Sequence, residues 1–273
     1  MAGIDIERLV DLSGAVTLDD LDWELCRKVG ISDSEERILK YLGDTETHTI
    51  LYMRDLLAGH SARDHEITSF LSVWVYEELW HGRAISRLLV EAGRPEEPDR
   101  YRKVTEQASF REVAEAFLSQ GAAHLTPRFI AAHMTWGAIN ELTAAAAYNA
   151  IIESTENPVL AELLRRIVKQ ERKHFSFYFD QAMQRLESDK MTQALTRFTI
   201  KRFWTVVGSG VGGADNLGYI AALHFETPEK REPLLEVERR IQQLPGMEWF
   251  NILHTQVARL ADSYVAKHGL VAA

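Results

Sequence analysis

Cysteine is almost missing. Cys26 is the only one in 273 residues, which excludes an intrachain disulfide, a thiolate zinc site and an iron–sulfur cluster built by this chain alone. No stretch approaches the roughly 18 uninterrupted apolar residues of a membrane-spanning helix. The start, MAGIDIERLVDLSG, lacks the basic opening and apolar core of a signal peptide. A cytoplasmic protein with no membrane span is therefore expected. Positive charge is also scarce, with 31 Lys and Arg against 40 Asp and Glu, a net charge of −9 and a pI near 5.6. That balance argues against a nucleic-acid partner, because phosphate binding needs a basic field. An acidic carrier would need a local basic patch. What remains is ordinary globular composition, 46% hydrophobic and 26% charged, on a chain long enough to bury a core.

Glycine and proline are sparse between residues 64 and 206, apolar positions recur at helical spacing, and strand signals are weak. The expectation is an all-α protein forming one domain over 1–273. Residues 1–40 read as an N-terminal extension with short helical pieces. Residues 41–190 read as a four-helix core, with helices near 44–57, 64–92, 127–154 and 158–186. Gly59, Gly93-Arg94-Pro95 and Asn157-Pro158 punctuate them. Residues 95–126 read as a connecting segment with one amphipathic helix carrying Phe110, Val113, Ala114 and Phe117. Residues 191–273 read as additional helices near 191–206, 229–243 and 247–268, with a glycine-rich loop from Gly208 to Gly218.

The core repeats itself. Each half is a helix with one Glu on an apolar or small-residue face, a turn, and a helix bearing Glu-x-x-His. Glu46 precedes Glu78 by 32 residues, and Glu141 precedes Glu171 by 30. Residues three apart share a helix face, so Glu78/His81 and Glu171/His174 each present two donors side by side. Those pairs sit in apolar stripes: Ile67, Leu71, Trp74, Ile85 and Leu88 on one helix, Leu160, Leu164, Ile167 and Tyr178 on the other. Counting from the turns puts all four carboxylates at one depth, about 20 Å along the axis. Buried carboxylates need a cationic partner. A lone Glu-x-x-His is usually a surface pair; two, each preceded by a matched lone Glu, are the donor set of ferritin-like di-metal proteins. Four carboxylates and two imidazoles suit two iron ions, with manganese–iron the other pairing. Asp44 and His48 stand beside Glu46 as rivals for its role.

At these residues the chain resembles the soluble acyl-acyl carrier protein desaturases. VWVYEELWHGRAISRLL resembles the helix carrying that family's EE-x-x-HG string. NELTAAAAYNAI, ENPVLAELL and KQERKHFSFY resemble its third and fourth helices, and DTETHTILYMRD its first. The likeness spans residues 44–185 and favours Glu46 over Asp44 and His48. It implies a di-iron enzyme that uses dioxygen and two external electrons to dehydrogenate a fatty acyl chain. It also implies an acyl carrier protein or acyl substrate, a ferredoxin-type donor and a homodimer. Two positions depart from the family: Ala144 stands where a threonine is usual, with Thr143 one place earlier, and Gln170 stands where an acid is usual. The alternative that they raise is a di-iron oxygenase or N-oxygenase of specialised metabolism. Ferritin-like iron oxidation is a third reading.

Thr143, Gln170, Tyr178 and Trp74 are the candidates for support around the ligands, with core packing the expected role of the two aromatics. Trp80 should point away from the site. Arg165, Lys169 and Arg172, flanked by Arg166 and Lys173, read as a solvated face of the fourth helix. Gly208, Gly210 and Gly213 imitate a dinucleotide motif without the βαβ unit it requires. His60, His65, His124, His133, His224, His254 and His268 lack ligand spacing.

Overall fold

Helix starts in this chain are fixed by side chains that accept from their first free N–H groups. Asp64 accepts from the Ile67 N–H, and Asn157 from those of Val159 and Leu160 with Pro158 in the first turn. Asp189 caps the next helix by bonding the Met191 and Thr192 N–H groups. The computed structural model describes residues 4–57, 59–97, 100, 126–211 and 214–269. Every regular element among them is helical: α1 (Ile6–Asp11), α2 (Trp23–Val29), α3 (Asp33–Leu57), α4 (His65–Glu91), α5 (Phe129–Ser154), α6 (Pro158–Leu186), α7 (Lys190–Phe203), α8 (Ala214–His224), α9 (Glu232–Ile241) and α10 (Leu253–His268), with a 3-10 turn at His60–Arg63. The chain is thus all-α, as expected. No described helix is long and apolar enough to cross a membrane.

The four long helices, α3 to α6, form the bundle as two hairpins, α3 with α4 and α5 with α6, joined across α4 and α6. One glycine explains how closely the first hairpin closes. A Cβ on Gly82 would lie 2.6 Å from Thr47 Oγ1 and 3.2 Å from the Gly43 carbonyl, so the bare glycine lets α3 reach the turn that carries His81. Gly137 does the same on α5, where a Cβ would meet the Tyr178 ring at 2.5 Å. Tyr178 fills that slot and packs edge-on against Phe70 and Trp74.

The flanking segments cover opposite sides. The N-terminal α1 and α2 lie on α4 and α6, while α7 to α10 cover α5 and the neighbouring face of α3. Several boundaries differ from expectation, among them the start of α10, which lies at Leu253 rather than near residue 247. Residues 33–40 belong to α3, because Asp33, Glu35 and Glu36 favour a helix N-terminus. Part of the expected 208–218 loop is the start of α8; Gly218 lies inside that helix, and its missing side chain lets Tyr264 of α10 pack closely. The amphipathic helix expected near Phe110 to Phe117 lies outside the described residues, as does His124.

Candidate metal centre

The two stripes expected to face inward do so, and Glu78, His81, Glu171 and His174 are all buried on them. Glu46 and Glu141 reach the same level from α3 and α5 and are buried too. The six residues fall into two overlapping groups. Glu46, Glu78, His81 and Glu171 each offer an atom within 4.8 Å of the others, and so do Glu78, Glu141, Glu171 and His174. Glu78 and Glu171 belong to both groups, the arrangement of carboxylates shared by two ions. Neither rival of Glu46 joins: Asp44 is gripped by Arg100, whose Nε and Nη2 lie 2.6 and 2.7 Å from its two oxygens.

Both histidines turn Nδ1 inward. His81 Nδ1 lies 3.2 Å from Glu171 Oε1 and 3.6 Å from Glu46 Oε2. His174 Nδ1 lies 3.1, 3.4 and 3.5 Å from oxygens of Glu78, Glu141 and Glu171. Yet Glu78 Oε1, Glu171 Oε1 and both Nδ1 atoms have no hydrogen-bond partner. Donor atoms bound at about 2.1 Å and at right angles around one ion would be about 3.0 Å apart. Spacing of this kind without hydrogen-bond alignment fits a shared cation, and these groups could hold a metal ion.

The outward nitrogens are also held. His81 Nε2 meets Gln170 Oε1 at 2.8 Å and His174 Nε2 meets Glu77 Oε2 at 2.7 Å. Each acceptor immediately precedes the shared Glu of its own helix and supports the histidine of the other. An acceptor at Nε2 keeps the proton there and leaves Nδ1 free to ligate. The two supports differ in charge, because Gln170 is neutral. Glu77 also accepts from Lys173 Nζ at 2.5 Å, the Gly14 N–H at 2.9 Å and Gln170 Nε2 at 3.0 Å. The charges could balance: the four clustered carboxylates would match two divalent ions, and Lys173 matches Glu77.

Each unshared carboxylate has an aromatic donor. Trp74 Nε1 donates to Glu141 Oε1 at 3.1 Å, so its role exceeds core packing. The buried Tyr148 hydroxyl donates to Glu46 Oε1. Thr143 spends its hydroxyl on the Ile139 carbonyl of its own helix at 2.7 Å. Tyr178 is fully buried and its hydroxyl has no partner.

Without metal, the electrostatics are those of a cluster that holds protons. Burial first, then the charges of Glu171 and other carboxylates, raise Glu78 and Glu141 well above the usual range. Burial pushes His81 and His174 down, but the facing carboxylates outweigh it and raise both well above 6.5. Against the upward push of burial, the adjacent imidazoles of His174 and His81 pull Glu171 below its ordinary value.

Glu77, Lys173 and Tyr148 are the supporting residues that the sequence reading missed. The repeat carried a signal for the first, since Glu77 stands to Glu78 as Gln170 stands to Glu171. Lys173, expected on a solvated flank, instead turns to Glu77 and Ser13. Arg165, Lys169 and Arg172 are exposed as expected, while Arg166 pairs with Asp20. Trp80 stacks edge-on with Tyr76 outside both groups. His254 pairs with Glu238 at 2.8 Å and His133 lies 3.4 Å from Ser61 Oγ; no described histidine besides His81 and His174 enters either group. Gly208 forms a turn packed onto Tyr41, where a Cβ would overlap the tyrosine hydroxyl.

The chain is therefore an all-α bundle with a buried Glu/His cluster able to hold metal. No protein-family model, curated protein or solved structure matches it.

Proposed function

We propose that this chain is a non-haem di-iron oxidoreductase that dehydrogenates a long apolar acyl chain, in the manner of the acyl-acyl carrier protein desaturases it resembles. The observation that carries the reading is the pair of overlapping donor groups that share Glu78 and Glu171. Glu46 and His81 would hold one ion, Glu141 and His174 the other, and the two shared carboxylates both. Iron is favoured over zinc or calcium by the mix of four carboxylates with two imidazoles. When bound, the pair supplies activation of dioxygen with two electrons from an outside donor, for which a ferredoxin-type protein is the natural class.

The chain's own residues orient and shield. Gln170 and Glu77 fix the histidine tautomers. Trp74 and Tyr148 hold the unshared carboxylates by their second oxygens. An apolar cavity of about 50 Å³ reaches Glu46 between α3, α5 and the C-terminal helices, lined by Ala144, Ala147, Val206, Ile220 and Leu260 among others. Its lining suits a methylene chain and excludes water from the carboxylate.

A second reading, oxygenation of the substrate, is favoured by the neutral Gln170 behind His81 and by Thr143, whose hydroxyl is engaged within its helix. Anaerobic ferrous titration followed by incubation with acyl substrates, reductant and oxygen tests both. Two irons per chain and a product short of two hydrogens are expected. A product carrying an added oxygen selects the second reading, and a chain that binds no iron ends both.

A further inference from the structure

The cavity at Glu46 shares a lining residue with a much larger space. A surface groove of about 780 Å³ opens between the α2–α3 connection, the C-terminal end of α5 and the end of α8. It falls within the size range of ordinary ligand pockets. Phe225 lines both the groove and the inner cavity. The same helices continue from one space to the other in unbroken stripes. On α3 the groove is lined by Glu35 and Ile38, and the cavity by Tyr41 and Glu46. On α5 Ser154 and Ala150 line the groove, and Ala147 and Ala144 the cavity. Glu35 and Glu46 are eleven residues apart, so the mouth stands about 16 Å from the centre along α3. Phe225, 4% exposed, is the one residue common to the two linings and stands where they adjoin. It sits one residue past the end of α8, so rotation about its side-chain bonds would open a way between them without breaking a helix.

We infer that Phe225 is the gate through which a slender apolar chain passes from the groove to the metal centre, and that the chain carries a neutral or cationic head group. The head-group class follows from the mouth. Glu35, Glu153, Glu156 and Glu229 line it against one lysine, Lys230, which is already bonded to Glu226 at 2.7 Å. The remaining basic side chain, His224, is pushed down to about 4 by burial and is uncharged at neutral pH. A carboxylate head, or a strongly acidic carrier protein docking here, would meet like charge. The inference rests on the proposed function only for what the chain meets at its inner end.

The test uses the full metal-free chain and three probes of equal length: dodecylamine, dodecanol and dodecanoate. Calorimetry should show the amine and the alcohol binding, and dodecanoate at least about tenfold weaker. Ala147→Phe fills the inner cavity without touching the groove and should weaken the amine by about tenfold or more. Phe225→Trp should slow its association in stopped-flow mixing, and Phe225→Ala should speed it, each by about tenfold. Phe225→Leu serves in place of Phe225→Ala should the smaller side chain compromise folding. Unaltered binding in Ala147→Phe would mean that the chain stays in the groove, and the gate is refuted. Equal association rates across the Phe225 variants refute it as well, and tighter binding of dodecanoate than of the amine overturns the head-group assignment. Ferrous titration of the same samples separates the claims: failure to bind iron sinks the di-iron reading alone, and iron binding without probe binding sinks the gate alone.

Discussion

Replacing Glu77 with Gln probes the supporting network with the least change in shape. In the native chain one oxygen of Glu77 accepts from Lys173, Gly14 and Gln170, while the other faces His174 Nε2 at 2.7 Å. An amide has one oxygen and one NH2. With its oxygen toward Lys173 and Gly14, the NH2 faces Nε2 and demands the tautomer protonated on Nδ1, the atom that must ligate. Turned the other way, the NH2 confronts three donors. The first orientation weakens His174 as a ligand, the second keeps its tautomer only by setting the NH2 against those donors, and both leave Lys173 without its counter-charge. Loss of such a support costs about 10- to 100-fold in metal affinity, or about 1.4 to 2.7 kcal/mol. The loss should fall on one ion, because Gln170 still holds His81. Anaerobic ferrous or manganous calorimetry should therefore resolve one site near its native affinity and one weakened. Two sites with native affinities would refute this account of Glu77, and equal weakening of both would refute its locality.

Other perturbations follow from the same geometry. Glu171→Ala removes a carboxylate common to both donor groups, so both ions should be lost together, and retention of full metal content would count against the centre. In metal-free protein, Glu78, Glu141, His81 and His174 all have raised values when folded, so their stabilisation is complete below the unfolded values of 4.5 and 6.5 and is lost as pH rises through the folded ones. Glu171, shifted down, loses its contribution only as pH falls below 4.5. The Tm of metal-free protein should accordingly fall between about pH 5 and pH 8, and saturating metal should flatten that slope by displacing the protons; a rising Tm would contradict the electrostatics. Tyr148→Phe deprives Glu46 of its buried donor and should cost about 1.5 to 3 kcal/mol in denaturant unfolding. Gly82→Ala drives a methyl toward Thr47 and the Gly43 carbonyl; about 1 to 3 kcal/mol of destabilisation is expected, with the ion at Glu46 and His81 more affected than its neighbour.

The helical class, the two hairpins and the six donors were legible in the linear chain because they are periodic. Glu-x-x-His puts two side chains on one face wherever a helix forms, and the repeat of Glu46–Glu78 in Glu141–Glu171 marks the level at which they meet. Caps at Asp64 and Asn157 fixed the turns between them for purely local reasons. The roles that stayed hidden depend on which helices become neighbours. Glu77 looks like any second residue of a Glu-Glu pair until α6 brings His174 and Lys173 to it. Tyr148 is one more apolar position until α3 and α5 close on Glu46. Asp44 could rival Glu46 until Arg100, 56 residues away, claimed it. Spacing along one helix sets which side chains share a face, and sequence alone determined that much. Which faces meet, and therefore which histidine nitrogen faces the carboxylates, which acid supports the other and which two spaces Phe225 lines, is set by packing between segments far apart in the chain, and only the tertiary structure decided it.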